Sequence, residues 1–113
     1  IGRLAGMEPT KYIWMDGALV PWEEATVHVL SHALHYGTGV FEGIRAYQAE
    51  RGTAVFRLTD HMDRLHRSAK AYSMDLEWSV ADLTKASKEL LAENGGGLGV
   101  PEESRGAAGG ERW

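Results

Sequence analysis

Three glycines within seven residues, Gly37, Gly39 and Gly43, interrupt the segment SHALHYGTGVFEGIRAY (residues 31–47), whose composition suits neither a plain core strand nor a plain amphipathic helix. Around and between them stand Tyr36, Phe41, Glu42, Arg45 and Tyr47, aromatic and charged groups in close succession. Glycine weakens a regular element and is kept where the backbone takes unusual dihedrals or lies close to another group. Two readings follow from the residues alone. The segment is a glycine-punctuated junction between a helix and a strand, or it is a ligand site.

A chain of 113 residues has room for one core and not for two ordinary domains. With 43% hydrophobic and 25% charged residues it has globular composition, and a net charge of -4 offers no basic footprint for nucleic acid. The absence of cysteine excludes a disulfide framework, a thiolate metal site and a cysteine nucleophile together. No apolar run approaches the roughly 20 residues that span a bilayer, so no membrane association is expected. The first residues lack the apolar middle of a signal peptide, which makes a cytoplasmic location the default. Ile1 to Ala5 or Gly6 read as sequence lying upstream of a start at Met7.

The pattern along the chain predicts a small α+β unit. Residues 11–15 and 18–22 form two short runs around Asp16-Gly17, a dipeptide suited to the positive dihedrals of a two-residue hairpin turn. Pro21 donates no ladder hydrogen bond, so the second strand ends near it or lies at an edge. Residues 23–34 suit a short helix or helical turn, and residues 41–48 and 53–58 read as strands joined around Arg51-Gly52. Thr59 offers a helix N-cap followed by Asp60 and Asp63, with Met62, Leu65, Ala69 and Tyr72 forming a stripe at helical spacing. A second helix begins at Ser79, which with Asp82 matches a capping box, and presents Val80, Leu83, Ala86 and Leu90 until Asn94-Gly95 stops it. Seven of the 14 glycines then fall within residues 95–113, a stretch with too little apolar surface to order itself. The expected organisation is one domain over residues 8–94 and a disordered tail over 95–113.

Several residues could carry chemistry. His28, His32 and His35 fall at i, i+4 and i+7, so a continuous helix would place all three on one face, as zinc requires. The glutamate that accompanies the first histidine of a catalytic zinc helix is replaced by Val29, and histidines packed near a domain core explain the trio equally well. Arg64 presents a planar fork of donors matched to a phosphate dianion, yet on an amphipathic helix it is equally a solvated surface group. The helix start at residues 59–61 could draw an anion through its free amides. GTGVFEG lacks both the Walker lysine and dinucleotide-binding spacing, and Ser31 beside His32 and His35 makes no serine triad.

Taken together, YIWMDGALVPWEEATVHVLSHALHYGTGVFEGIRAY and FRLTDHMDRLHRSAKAY resemble the class IV, pyridoxal-phosphate-dependent aminotransferases, and among them the branched-chain amino acid aminotransferases. The resemblance runs from about Tyr12 to Asn94. It implies the small N-terminal domain of the D-amino acid aminotransferase-like fold, an antiparallel sheet with two helices, packed in the family against a larger domain with pyridoxal 5'-phosphate between them. Arg64 then falls where the family grips the cofactor's phosphate. Phe41 and Gly43 fall where it lines the pocket for the substrate's apolar side chain, and Tyr36 matches a tyrosine that reaches the partner subunit's pocket in a homo-oligomer. The implied reaction moves an amino group from leucine, isoleucine or valine to 2-oxoglutarate, and the histidine trio becomes structural. No catalytic residue is implied within the chain. The family's Schiff-base lysine lies in the large domain, and Lys11, Lys70, Lys85 and Lys88 stand in no similar segment.

One departure qualifies the resemblance. After its second helix the family continues into a strand reading approximately Tyr-Ile-Arg-Pro, whereas GGGLGVPEESRGAAGGERW stands here. The expectation is a truncated or frameshifted fragment, inactive alone and prone to self-association through its uncovered face. FEGIRAY favours the branched-chain group over D-amino acid aminotransferase and aminodeoxychorismate lyase. A free-standing, non-catalytic binding or interaction domain using residues 36–45 is the alternative.

Overall fold

The computed structural model describes residues 9–95 together with Glu102–Glu103. Asp16 and Gly17 both adopt positive φ, 50° and 93°, and the hairpin forms around them as the dipeptide predicts. Strand β1 (Tyr12–Met15) pairs antiparallel with β2 (Ala18–Pro21), with Tyr12 opposite Pro21 and Met15 opposite Ala18. Pro21 closes the strand, where its missing N–H costs no ladder bond. Glycine at position 17 meets two demands at once. A Cβ there would lie 3.4 Å from the Trp78 ring, which itself packs edge-on against Trp14 at 5.0 Å.

Helical structure between the hairpin and the glycine-rich segment is shorter than residues 23–34 suggest. A single 3₁₀ turn (Trp22–Glu24) gives way to non-helical chain, and helix α1 (His32–Tyr36) follows. The intervening Thr26, Val27 and Val29 are β-branched, which disfavours a helix that no core packing supports. Gly37 takes φ 66° and ends α1 by donating its N–H to the Ala33 carbonyl at 2.9 Å.

A second small sheet, not one continuous sheet, comes next. Strand β3 (Ala46–Ala49) pairs antiparallel with β4 (Gly52–Phe56), and residues 41–45 lie outside the strand that sequence places there. The antiparallel pairing is as expected, and a two-residue strand β5 (Glu102–Glu103) adds to β4 in parallel. The expected tail of residues 95–113 otherwise lies, beyond Gly95, outside the described residues, as does the proposed upstream stretch before Met7.

Helix α2 (Leu58–Ala71) begins one residue before the Thr59 cap the sequence suggests, because Leu58 is fully buried and draws the chain inward. Arg57 occupies the N-cap in the left-handed region at φ 49° and pairs with Asp60 at 2.6 Å. Met62 and Ala69 are buried and Leu65 half-buried, but Tyr72, past the helix end, is exposed. Asp63 pairs with Arg67 along the outer face.

Helix α3 (Val80–Glu93) carries the capping box as predicted, with the Asp82 N–H donating to Ser79 Oγ at 3.1 Å and the Ser79 N–H to the Asp82 carboxylate at 3.0 Å. Ser79→Ala leaves the Asp82 amide without that acceptor, and an expected loss of about 1 kcal/mol should appear as a lower urea midpoint at unchanged m-value. At its other end Asn94 accepts from the Tyr12 N–H at 2.8 Å and donates to the Tyr12 carbonyl at 3.0 Å, tying α3 to the hairpin. His66 lies between the carbonyls of Met62 (2.9 Å) and Trp78 (2.8 Å), which holds α2 against the approach to α3. Val55, Leu58 and Met62 form the core between β4 and the two helices, joined at its margin by Ile44, Leu65, Val80, Leu83 and Leu91.

Candidate functional site

Along residues 41–45 burial alternates, with Phe41, Gly43 and Arg45 exposed and Glu42 and Ile44 turned inward. Ile44 joins the core margin, and that anchor fixes the side to which Glu42 points. The Glu42 side chain is only 6% exposed, and it meets the outer face of α2, where His61 and Arg64 sit one turn apart.

Arg64 donates from Nε to Glu42 Oε1 and from Nη2 to Oε2, each at 2.7 Å, a bidentate pair of the kind that fixes a guanidinium plane. A carboxylate only accepts, so His61 donates from Nδ1 to Oε2, also at 2.7 Å. The Arg64 hydrogen bond chiefly, against the opposing effect of burial and with help from His61, holds the Glu42 carboxyl at about 2 instead of its ordinary 4.5. The same carboxylate raises the basicity of Arg64 further above its ordinary range.

This arrangement leaves one edge of the fork for something else. Arg64 is 59% exposed, and Nη1 makes no hydrogen bond among the described residues. The donor set therefore suits a phosphate dianion approaching from solvent, and a phosphate-bearing cofactor fits it.

The other expected site residues are placed on the surface. Tyr36 is 75% exposed and stacks on His32 at 4.5 Å, Phe41 is 87% exposed, and a Cβ on Gly43 would meet nothing within 4 Å. Phe41 and Gly43 flank Glu42 in the chain and so border the Arg64 pair, but no pocket wall stands over them among the described residues. Two hollows of the surface lie elsewhere, one around Thr84, Lys85 and Lys88, the other around Trp14, Leu65 and Leu90. Val27, Val29, Leu30 and Leu34 are exposed as well, which extends the uncovered apolar surface through α1.

Histidine spacing does not translate into a shared face. His28 precedes α1 and accepts from the Leu30 N–H, His35 donates to the Val29 carbonyl at 2.7 Å, and His32 is stacked, so each ring has a separate local contact. Among the described residues no cluster of three metal-ligating side chains forms. Nor is any described helix long and apolar enough to cross a membrane.

Residues 39–105 match the family model for class IV amino-transferases, a span that includes Phe41, Glu42, Gly43, His61 and Arg64. The chain belongs to this family. It is 52% identical over 83 residues to the branched-chain-amino-acid aminotransferase of Escherichia coli strain K12, a match covering 74% of this chain and 27% of that protein. The fold agrees with two solved branched-chain aminotransferases. The Escherichia coli enzyme gives a TM-score of 0.73 at 50% identity over 75% of this chain and 28% of its own. The enzyme from Thermoproteus uzoniensis, solved with norvaline, gives 0.73 at 51% identity over 76% and 29%. Other solved branched-chain aminotransferases of the same fold hold pyridoxamine 5'-phosphate or a phosphopyridoxyl glutamate. The chain thus spans little more than a quarter of the curated relative it matches, and its α+β architecture is that of the small part of a class IV aminotransferase fold.

Sequence reasoning singles out Arg64 without its carboxylate. Glu42 lies 22 residues away and His61 three, and only the helix spacing of the latter was there to be read.

Proposed function

We propose that this chain is the small-domain part of a branched-chain amino acid aminotransferase, one that passes the amino group of leucine, isoleucine or valine to 2-oxoglutarate with pyridoxal 5'-phosphate in the cytoplasm. The observation that carries this reading is the half-built anion site. An exposed guanidinium fork is held in one plane by a carboxylate with 6% exposure, beside an apolar segment that no described residue covers. When bound, the cofactor supplies the electron sink for amino-group transfer. Arg64 grips its phosphate through the outward edge, Phe41 and Gly43 line the space for the substrate's apolar side chain, and Tyr36 reaches the partner's pocket in a homo-oligomer. The uncovered apolar surface from Val27 to Phe41 is what a large domain and a second copy would bury.

None of the four lysines belongs to this constellation, so the reactive amine is assigned to other polypeptide. The test is complementation. The 113-residue chain alone should give no leucine-dependent glutamate, and mixing it with the separately expressed large domain of a branched-chain aminotransferase should restore turnover. In the mixture Arg64→Lys keeps the charge but loses the fork, and pyridoxal phosphate affinity should fall about tenfold. Turnover by the chain alone, or an Arg64→Lys mixture with unchanged cofactor affinity, would contradict the proposal.

A further inference from the structure

We infer that Glu42 is a positioning residue, a buried carboxylate that locks the guanidinium of Arg64 edge-on and so aims its remaining donors at an incoming phosphate ester. The inference rests on the reading of Arg64 as the phosphate anchor and adds what makes that anchor directional. A lone arginine on a helix swings through several rotamers, and a swinging fork is a point charge to an anion. Here two of its donors are committed at 2.7 Å to one carboxylate, which fixes the plane. The carboxylate is itself fixed from three sides: by Arg64, by the Nδ1–H of His61, and by the backbone that Ile44 anchors in the core. The commitment is selective as well. It occupies the Nε and Nη2 side of the fork, where Nη2 also lies 3.5 Å from His61 Nδ1, and leaves the two hydrogens of Nη1 as the donors turned toward an incoming dianion.

Placing a negative charge beside an anion site has an electrostatic cost, and that cost separates orientation from mere charge. If Coulomb attraction alone mattered, removing the Glu42 charge would tighten phosphate binding. Orientation predicts the reverse. Glu42→Asp keeps the charge but withdraws the carboxylate by one methylene, so it breaks the reach while leaving the net charge unchanged.

The probe is pyridoxine 5'-phosphate, a phosphate ester without an aldehyde, so lysines do not react with it. It is titrated into the 113-residue chain with the Arg64 Nε–H followed by NMR, and melting curves report the fold of each variant. In the unaltered chain the Arg64 Nε–H should be protected from exchange and should shift saturably with ligand. Glu42→Asp should lose the protection and bind about tenfold more weakly, while its melting curve shows it still folded at the temperature of the titration. Glu42→Gln, where it folds, should weaken binding despite the more positive site. Should both Glu42 variants bind as tightly as the parent, or tighter, while Arg64→Lys weakens binding, Glu42 does not position the anchor and the anchor itself stands. If Arg64→Lys binds as well as the parent, or the parent shows no saturable shift at Arg64, the anchor reading fails and the inference fails with it.

Discussion

Replacing Leu58 with alanine should remove a large share of the stability of the fold. Leu58 has no exposure at all, and with Val55 it is one of the two largest fully buried side chains. Truncating such a leucine removes its transfer free energy and leaves a cavity, together costing about 2–5 kcal/mol. The core that must absorb the loss is small, with Val55, Leu58 and Met62 at its centre and half-buried residues at its edge. Total stability for a domain of this size is about 5–10 kcal/mol, and the uncovered apolar surface argues for the lower end. Position 58 also sits at the first residue of α2, after Arg57 in a left-handed conformation, so the cavity opens where the helix enters the core. Circular dichroism should show a shallow, low-temperature melt for Leu58→Ala. Leu58→Met, close in volume, should cost less than about 1.5 kcal/mol. A Leu58→Ala protein that melts within a few degrees of the parent would show that the α2 and α3 contacts, not this cluster, hold the fold.

The elements legible in the sequence are those whose signal is local. Asp16-Gly17 specifies its turn because the dihedrals belong to those two residues, and Ser79 with Asp82 specifies a helix start because the bonds close within four residues. The errors arise where a distant group decides. Thr59 is a good cap by chemistry, but with Leu58 buried the helix starts one residue ahead of it, and Arg57 takes the N-cap at positive φ. The expected helix over residues 23–34 breaks around β-branched residues that no core packing compensates, and with it goes the common face of His28, His32 and His35. Asn94 reads as a helix stop and proves also to be a two-point tie to Tyr12, 82 residues away. At the site the same rule holds. Family resemblance points to Arg64, Phe41 and Gly43, but the carboxylate that orients Arg64 is joined to it only through the tertiary fold. Its one trace is a charged residue that alternates inward between two exposed ones.

That carboxylate also makes the stability of the fold depend on acid in a predictable window. Glu42 is held at about 2 in the folded protein against an ordinary 4.5, first by the Arg64 hydrogen bond and then by His61, with burial opposing both. Because the folded value is the lower one, the unfolded chain binds the proton more readily. The resulting stabilisation is complete above about pH 5 to 6, where both states are ionised. It declines as the unfolded carboxyl protonates and is gone once pH falls through about 2. Unscreened, such a shift corresponds to about 3 kcal/mol. Arg64 stands 59% exposed, so water weakens the pairing and about 2 kcal/mol is the expected size. Other carboxyls titrate over the same range, Asp82 among them, since the Ser79 backbone and hydroxyl hold it below its ordinary value. Comparison with Glu42→Gln cancels these. The gap between parent and variant in urea unfolding should be about 2 kcal/mol near pH 6 and should close progressively toward about pH 2 to 3. A gap that stays constant across the range would mean that the variant loses packing and not a charge pair, and the ion pair would then contribute little to holding residues 41–45 against α2.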